Sequence, residues 1–224
     1  DCEEWINLER LKKEREVVGI YISAHPLDDY LREIKNFTSA GLSSLNDLNR
    51  IINKDLYVGG IINEVEHLQT KTGNGFAVFS FEDFNDQYQF RIFGEDYLKY
   101  KHLLEENKIL RLRISIREGW VNRETGRVGD PRIQFLNMEL LDGIIDSSSK
   151  KITLKIDSST LNLDEVKKLK KIFSKHKGSK PVYFDILDTN NEIKLNMISQ
   201  QTKVSITKDL LKSLEKEEFS YKLN

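Results

Sequence analysis

The chain has 224 residues, of which 38% are hydrophobic and 32% are charged, and its formal net charge is −1 at pH 7. This length predicts one or two globular domains. No apolar run is long enough to span a bilayer, and the acidic opening Asp1-Cys2-Glu3-Glu4 lacks the basic start of a secretory signal. Cys2 is the single cysteine, which excludes an internal disulfide framework and fits a cytoplasmic location.

Residues 1–54 predict a helical connector. Apolar side chains recur at near-helical spacing within residues 3–18, while Glu, Lys and Arg occupy the other positions. A second short helix is predicted after the string SAHPL, because Pro26 fits the first turn of a helix. His25 in this string is interpreted as a packing or helix-entry residue rather than a ligand.

Residues 55–142 begin with three stretches that predict β-strands. Within residues 76–94, two runs of strictly alternating apolar side chains flank Asn85-Asp86, which suits a tight hairpin. The stretch before them, residues 56–70, predicts a first strand that bends at Gly59-Gly60.

A short helix is predicted over residues 95–107, and two further strands are predicted on either side of the loop at residues 122–131. Three strands, a helix and two strands follow one another in the order of an OB-fold. The sequence therefore predicts a five-stranded OB-fold barrel over residues 55–142, a fold that binds single-stranded nucleic acid or sugars.

Residues 143–224 predict a small two-layer domain. The serine-rich residues 143–151 are interpreted as a linker. The rest predicts the order β-α-β-β-β-α, with a capping box at Asn162 and Glu165 before the first helix and a short strand at residues 204–206. The whole chain is therefore predicted to be an α+β protein that is mainly β.

An OB barrel binds single strands with the face of its second and third strands and with two of its loops, through aromatic side chains for the bases and basic side chains for the phosphates. The candidate nucleic-acid-binding residues are Lys71, Phe76, Gln89, Arg91, Arg113, Arg117, Trp120, Arg123, Arg127 and Arg132. The stretch 111–132 carries six arginines against three acidic residues, a local charge of +3. The alternatives are that these arginines are the solvated face of a strand and that Trp120 or Phe76 closes the barrel.

No arrangement in the sequence predicts chemistry. The four histidines are isolated, and one cysteine forms no zinc pattern. The pair Glu82-Asp83 is interpreted as a turn former, because aspartate accepts hydrogen bonds from its own downstream backbone. We therefore expect no catalytic residue, no metal and no cofactor in this chain.

Three stretches resemble the C-terminal part of the bacterial DNA polymerase III α subunit. Residues 9–30, with the string SAHPL, resemble the segment before the OB domain of that family. Residues 77–110 are similar to its OB core, and residues 152–219, with the string VYFDI, are similar to its small terminal domain. Because the chain opens at Asp1 without the clamp-binding motif of the family, we expect an excised fragment.

The resemblance implies a non-catalytic region of a DNA-directed DNA polymerase, a nucleotidyltransferase whose active site lies outside this chain. Its OB barrel would hold single-stranded template DNA, and its terminal domain would bind the clamp-loader τ subunit and other replisome proteins, with no membrane involved. One alternative is an OB-based protein-interaction scaffold without DNA binding. Another is the anticodon-binding module of a synthetase-like enzyme, which would prefer RNA.

Overall fold

The computed structural model describes residues 7–18, 21, 23–121, 125–159, 161–188 and 193–223. The chain divides into two compact units, unit 1 (Asp1–Asp142) and unit 2 (Gly143–Asn224). Nine strands in two sheets and six α-helices lie within the described residues. This content confirms the prediction of a mainly β protein of the α+β class. In this part of the chain no helix has both the length and the apolar character needed to cross a bilayer.

Unit 1 begins with the helices α1 (Asn7–Val18) and α2 (Leu31–Phe37). Between them, the ring centroid of His25 lies 5.3 Å from that of Tyr21 and 4.8 Å from that of Phe84. The Nδ1 atom of His25 accepts a hydrogen bond from the backbone N–H of Leu27 at 3.1 Å, and Leu27 is fully buried. His25 therefore has the packing role predicted for it. Residues 1–6, where the first helix is predicted to begin, lie outside the described residues.

Five antiparallel strands form the sheet of unit 1: β1 (Asp55–Gln69), β2 (Gly75–Glu82), β3 (Gln87–Phe93), β4 (Ile109–Arg117) and β5 (Arg132–Leu140). Their order across the sheet is β3-β2-β1-β4-β5. The first half of β1 pairs with β4 and the second half with β2, and the partners change at Ile61. Beside it, a Cβ atom on Gly60 would lie 2.3 Å from the carbonyl oxygen of Glu82, so only glycine allows the two strands to approach here.

The sheet of unit 1 is strongly curved. Phe90 on β3 and Phe135 on β5 belong to opposite edges of the sheet, yet their ring centroids are 5.7 Å apart. In a flat sheet, four strand spacings would separate these edges by about 19 Å. No backbone pairing between β3 and β5 closes the sheet among the described residues. The closed five-stranded barrel of the sequence prediction is therefore not confirmed, although all five strands contribute to one hydrophobic core.

The segment between β3 and β4 forms α3 (Gly94–Tyr100), followed by one 3-10 turn. Tyr97 of this helix is buried in the core. The two ring nitrogens of His67, on β1, lie 3.2 Å from the Tyr97 hydroxyl and 3.1 Å from the carbonyl oxygen of Leu104. These two hydrogen bonds join β1 to the helical segment. The helix is shorter than the predicted 95–107, because the chain leaves helical backbone angles at Leu104.

The turn between β2 and β3 is organised by Asp83. Its Oδ1 atom accepts hydrogen bonds from the backbone N–H groups of Asn85 and Asp86, both at 2.8 Å. Its Oδ2 atom accepts a third from the N–H of Leu42 at 2.7 Å, which fixes the preceding segment to the sheet. The interpretation of Asp83 as a turn former is confirmed.

Unit 2 contains α4 (Ile144–Ser148), β6 (Ile152–Asp157), α5 (Leu163–Lys175), β7 (Lys177–Asp188), β8 (Ile193–Val204), α6 (Lys208–Lys216) and β9 (Ser220–Leu223). The strand order is β8-β7-β6-β9, in which β6 and β7 are parallel and the other pairs antiparallel. Parallel strands need a crossover, and α5 provides it. The predicted capping box is present, since Asn162 and Glu165 each accept a hydrogen bond from the backbone N–H of the other.

Three details of unit 2 differ from the prediction. The expected linker contains α4, because Ile144 and Ile145 are buried and anchor it. The predicted strand at residues 204–206 is not separate, since Val204 is the last residue of β8. The last strand, β9, was not predicted: its four residues are too few to show an alternating pattern, and pairing with β6 holds it in place.

An ion pair joins α5 to the end of α6. The Nζ atom of Lys168 lies 2.7 Å from Oε2 of Glu217. Their hydrogen bond and opposite charges lower the pKa of Glu217 and raise the pKa of Lys168. The pair therefore favours folding at neutral pH, and this contribution is lost as the pH falls through the pKa of Glu217 or rises through that of Lys168.

Candidate nucleic-acid interface

The alternating direction of side chains along β4 decides where its arginines lie. The core-facing residues are Leu110, Leu112, Ile114 and Ile116, all fully buried. Arg111, Arg113 and Arg117 therefore lie on the outer face of the sheet, as alternation in a strand requires. The sequence analysis treated these arginines as one basic stretch on the exposed side of the strand. Among the described residues, Arg111 and Arg113 form ion pairs, whereas Arg117 does not.

Two of these arginines have their charge balanced within the sheet. Arg111 forms an ion pair with Glu139 on β5, with 2.7 Å between Nη2 and Oε1, and donates a hydrogen bond to the carbonyl oxygen of Phe37. Arg113 forms an ion pair with Asp55 on β1, with 3.0 Å between Nη2 and Oδ2. Both partners lie on neighbouring strands, so these arginines hold the sheet together.

Arg117 and Arg132 lie directly opposite one another at the end of the β4–β5 pair. The guanidinium carbon of Arg132 is 3.8 Å from the ring centroid of Trp120, and its Nε donates to the carbonyl oxygen of Glu118. Arg117 donates a long hydrogen bond of 3.4 Å to Gln134. Neither arginine forms an ion pair with a carboxylate among the described residues, although the charge of Arg117 also acts on Asp55. The two adjacent arginines therefore leave a local excess of positive charge.

Trp120 has 75% of its surface exposed, so it does not close the end of the sheet. Its backbone carbonyl accepts a hydrogen bond from Gly129, and Val121 forms an isolated bridge with Val128, so the β4–β5 loop extends the hairpin. Arg127 is exposed in this loop. We call Arg117, Trp120, Arg127 and Arg132 the arginine–tryptophan cluster. The predicted site residue Arg123 lies outside the described residues.

A second group lies on the outer face of β2 and β3. Phe76 pairs with Phe93, and their rings stack with 4.9 Å between centroids. Arg91, opposite Val78, is exposed on the same face. Leu68 of β1 lies opposite Phe76 and is part of the surface too. We call Leu68, Phe76, Arg91 and Phe93 the aromatic face.

Sequence reasoning missed Phe93, which is 51% exposed. The signal was present, because Phe90 and Ile92 face the core and alternation then places Phe93 on the outer side. Gln89 of the predicted set lies on this outer side opposite Ser80. Lys71 is exposed in the turn between β1 and β2, where Gly73 adopts a left-handed backbone conformation with φ = 84°.

The predicted residues therefore fall into two groups at opposite ends of β1. Asp55, at the start of β1, pairs with Ser115 near the arginine–tryptophan cluster, whereas Leu68, near its end, belongs to the aromatic face. Thirteen residues of extended strand span at most about 43 Å, and the bend of β1 shortens this. A nucleic-acid strand that contacts both groups would therefore have to be several nucleotides long.

The aromatic face has acidic neighbours. Glu64 and Glu66 of β1 are exposed opposite Ser80 and Val78, on the same outer face. Their carboxylates repel phosphates, so this part of the surface suits bases better than backbone. The arginine–tryptophan cluster is the more basic of the two groups.

Comparison with known protein families identifies relatives of both units. The family model described as "DNA polymerase III alpha subunit, C-terminal domain" matches residues 152–224. DNA polymerase III subunit alpha of Bacillus subtilis (strain 168) is 26% identical over 197 residues, which cover 87% of this chain and 16% of that protein. The subunit alpha of Borreliella burgdorferi is 29% identical over 196 residues, which cover 85% of this chain and 16% of that protein.

The subunit alpha of Aquifex aeolicus is 33% identical over 108 residues, 48% of this chain and 9% of that protein. A solved structure of a putative aspartyl-tRNA synthetase from Leishmania major Friedlin matches with a TM-score of 0.31 and 13% identity over 61% of this chain and 26% of that chain, too low a similarity to carry an argument. The chain thus spans about one sixth of the first two relatives. Over most of its length the chain is similar to the alpha subunits of bacterial DNA polymerase III, and residues 152–224 match the C-terminal domain of that family, which agrees with the resemblance noted in the sequence.

Proposed function

We propose that unit 1 is an OB-type domain that holds single-stranded template DNA for a replicative polymerase. The strand order β3-β2-β1-β4-β5 and the strong curvature of the sheet support an OB-type fold, which is a partly open barrel. The names of the relatives, DNA polymerase III subunit alpha, support the replicative context. The polymerase active site and its chemistry would lie outside this chain.

The observation that carries this proposal is the arginine–tryptophan cluster. Exposed tryptophan is costly in water, and its ring offers a stacking surface to any base. Arg132 covers one side of the Trp120 ring at 3.8 Å, which orients the ring, and Arg117 lies opposite Arg132 on β4. Stacking with neutralisation of phosphates gives binding that tolerates any base sequence and weakens as salt rises.

Replacing Trp120 with alanine tests the stacking role. We expect the affinity for oligo-dT to fall by about tenfold, because stacking on one aromatic side chain contributes about 1–3 kcal/mol per base. The dependence on salt should stay unchanged, since no charge is removed. Fluorescence anisotropy of labelled oligo-dT measures both quantities.

Trp120→Phe is the matched control and should retain most of the affinity, since phenylalanine keeps a stacking face. An alanine variant that binds like the wild-type protein contradicts a stacking role for Trp120. Oligo-U in parallel tests the anticodon-module alternative, which requires RNA to bind more tightly than DNA.

The second candidate function is a protein-interaction scaffold without DNA binding. Charge favours it, because residues 1–142 carry 25 acidic residues against 19 basic ones, a net charge of −6. Glu64 and Glu66 on the outer face add to this. In a scaffold, the arginine–tryptophan cluster would contact protein, and oligo-dT would not bind even at low salt.

Unit 2 is proposed to bind replisome proteins, with the clamp-loader τ subunit as the partner and the cytoplasm as the location. The match of residues 152–224 to the C-terminal domain of DNA polymerase III alpha subunits supports this role. Its charge differs from that of unit 1: residues 143–224 contain 16 lysines against 11 acidic residues, a net charge of +5. The two units are therefore suited to partners of different kinds.

A further inference from the structure

The outermost strand of unit 2, β8, has an open edge. It is the first strand in the order β8-β7-β6-β9, and β7 is its one partner among the described strands. It is 12 residues long, from Ile193 to Val204. Along such an edge, alternate backbone N–H and C=O groups point away from the sheet and can pair with another extended chain.

This edge carries more apolar surface than an edge strand in water usually does. Leu195 and Met197 lie opposite Ile186 and Phe184 of β7, and each is 51% exposed. Ile198, on the other face of the strand, is 52% exposed. Natural edge strands are usually short, bulged or interrupted by proline. β8 contains no proline, and its pairing with β7 is regular from Ile193 to Ile198, before a register shift between Ile198 and Lys203. Both faces of β8 are therefore suited to contact with apolar side chains of a partner.

Lysines are the only charged residues on β8, although Asp185 and Asp188 of β7 lie opposite Asn196 and Ile193. Lys194 and Lys203 lie on the strand, which has no acidic residue. At its end, Lys203 lines a groove of about 520 Å³ together with Lys170 and Lys177, and Phe173 is also part of the lining. None of these four lysines forms an ion pair within the described residues.

The lysines on and beside β8 indicate which kind of chain would pair with its open edge. A second copy of the chain would bring the lysines of two β8 strands close together, which is unfavourable. A segment that alternates acidic and apolar residues would place carboxylates near the lysines and apolar side chains beside Leu195 and Met197. Strand addition of this kind obtains its affinity from backbone hydrogen bonds and its specificity from alternate side chains.

We propose that β8 is a docking strand for an extended, acidic segment of another protein, which adds to the sheet of unit 2 as a fifth strand. This proposal deepens the partner-binding role proposed for unit 2 and rests on it, but it does not depend on DNA binding by unit 1. The segment would pair, antiparallel or parallel, with the regular part of this edge at residues 193–198, and its acidic end would reach towards the groove lined by Lys203.

The probe is a fluorescein-labelled peptide that matches β8 in length and alternates glutamate with valine, added to the full chain and followed by anisotropy at low salt. We expect saturable binding, and weaker binding by about tenfold or more in the variant Lys194→Glu/Lys203→Glu. The control Lys212→Glu/Lys222→Glu has the same change in net charge on exposed lysines of α6 and β9 and should bind like the wild-type protein. Circular dichroism confirms that both variants are folded.

Backbone pairing is tested with two N-methylated versions of the peptide, one methylated at the valines and one at the glutamates. Pairing with one strand uses alternate N–H groups, so one version should lose binding and the other should retain it. Equal binding of both versions, equal loss in the control variant, no binding of the parent peptide, or a wild-type chain that dimerises through β8 would each overturn the proposal.

Titration with purified τ subunit separates the two proposals about unit 2. A wild-type chain that binds the peptide but not τ contradicts the proposed partner and leaves the docking strand in place. A chain that binds τ but not the peptide supports the partner and overturns the docking strand.

Discussion

Reversing the charges of Arg117 and Arg132 is expected to reduce the affinity for oligo-dT by on the order of a hundredfold at low salt. These two arginines face each other across β4 and β5, and neither forms an ion pair with a described carboxylate. Glutamates at both positions would remove two phosphate contacts and add repulsion. The slope of log affinity against log salt should become shallower by about 1.4, because each contact with a single strand contributes about 0.7.

The variant Lys212→Glu/Lys222→Glu is the matched control, because it changes the net charge by the same amount in unit 2. It should bind oligo-dT like the wild-type protein. The variant Lys194→Glu/Lys203→Glu should also keep its affinity for DNA, although its affinity for the acidic peptide should be lower. Equal loss of DNA binding in all three variants would mean that net charge, rather than the arginine–tryptophan cluster, determines binding.

Replacing Phe90 with alanine is expected to lower the free energy of unfolding of unit 1 by about 3–5 kcal/mol. Phe90 is buried, and its ring lies 5.3 Å from Phe79, 6.0 Å from Phe81 and 5.7 Å from Phe135. Removal of the ring would leave a cavity and would delete the contact with Phe135 that joins β3 to β5, where the curved sheet brings its two edges together. A loss of this size is a large fraction of the stability of a typical domain.

Phe93→Ala provides the control for this prediction, since it removes the same side chain from the same strand on the exposed face. It should lower the stability by less than about 1 kcal/mol. Urea unfolding followed by far-UV circular dichroism measures both variants. Similar losses for Phe90 and Phe93 would contradict the placement of the core between the edges of the sheet.

Local patterns in the sequence predicted local structure well. The alternation in β2 and β3, the turn at Asp83 and the capping box at Asn162 all depend on residues a few positions apart, and the structure contains them. Elements held by distant residues were missed. The four residues of β9 are a strand because β6 pairs with them, and α4 is ordered because its isoleucines are buried.

The same distinction applies to the candidate site. The sequence placed Arg111 and Arg113 in one basic stretch with Arg117, but their charges are balanced by Glu139 and Asp55, which are 28 and 58 residues away. No local pattern shows such pairs. Whether a barrel closes also depends on strands that are distant in the sequence. The contact between the rings of Phe90 and Phe135 shows the curvature of the sheet, which the spacing of apolar residues along the sequence does not show.

The most direct test of single-strand binding by unit 1 is the affinity of the wild-type chain for labelled oligo-dT as a function of salt. Our account predicts saturable binding at low salt that weakens steadily as salt rises, with a log–log slope that reports a few phosphate contacts. No binding at low salt, or binding that does not change with salt, would contradict it and favour the scaffold.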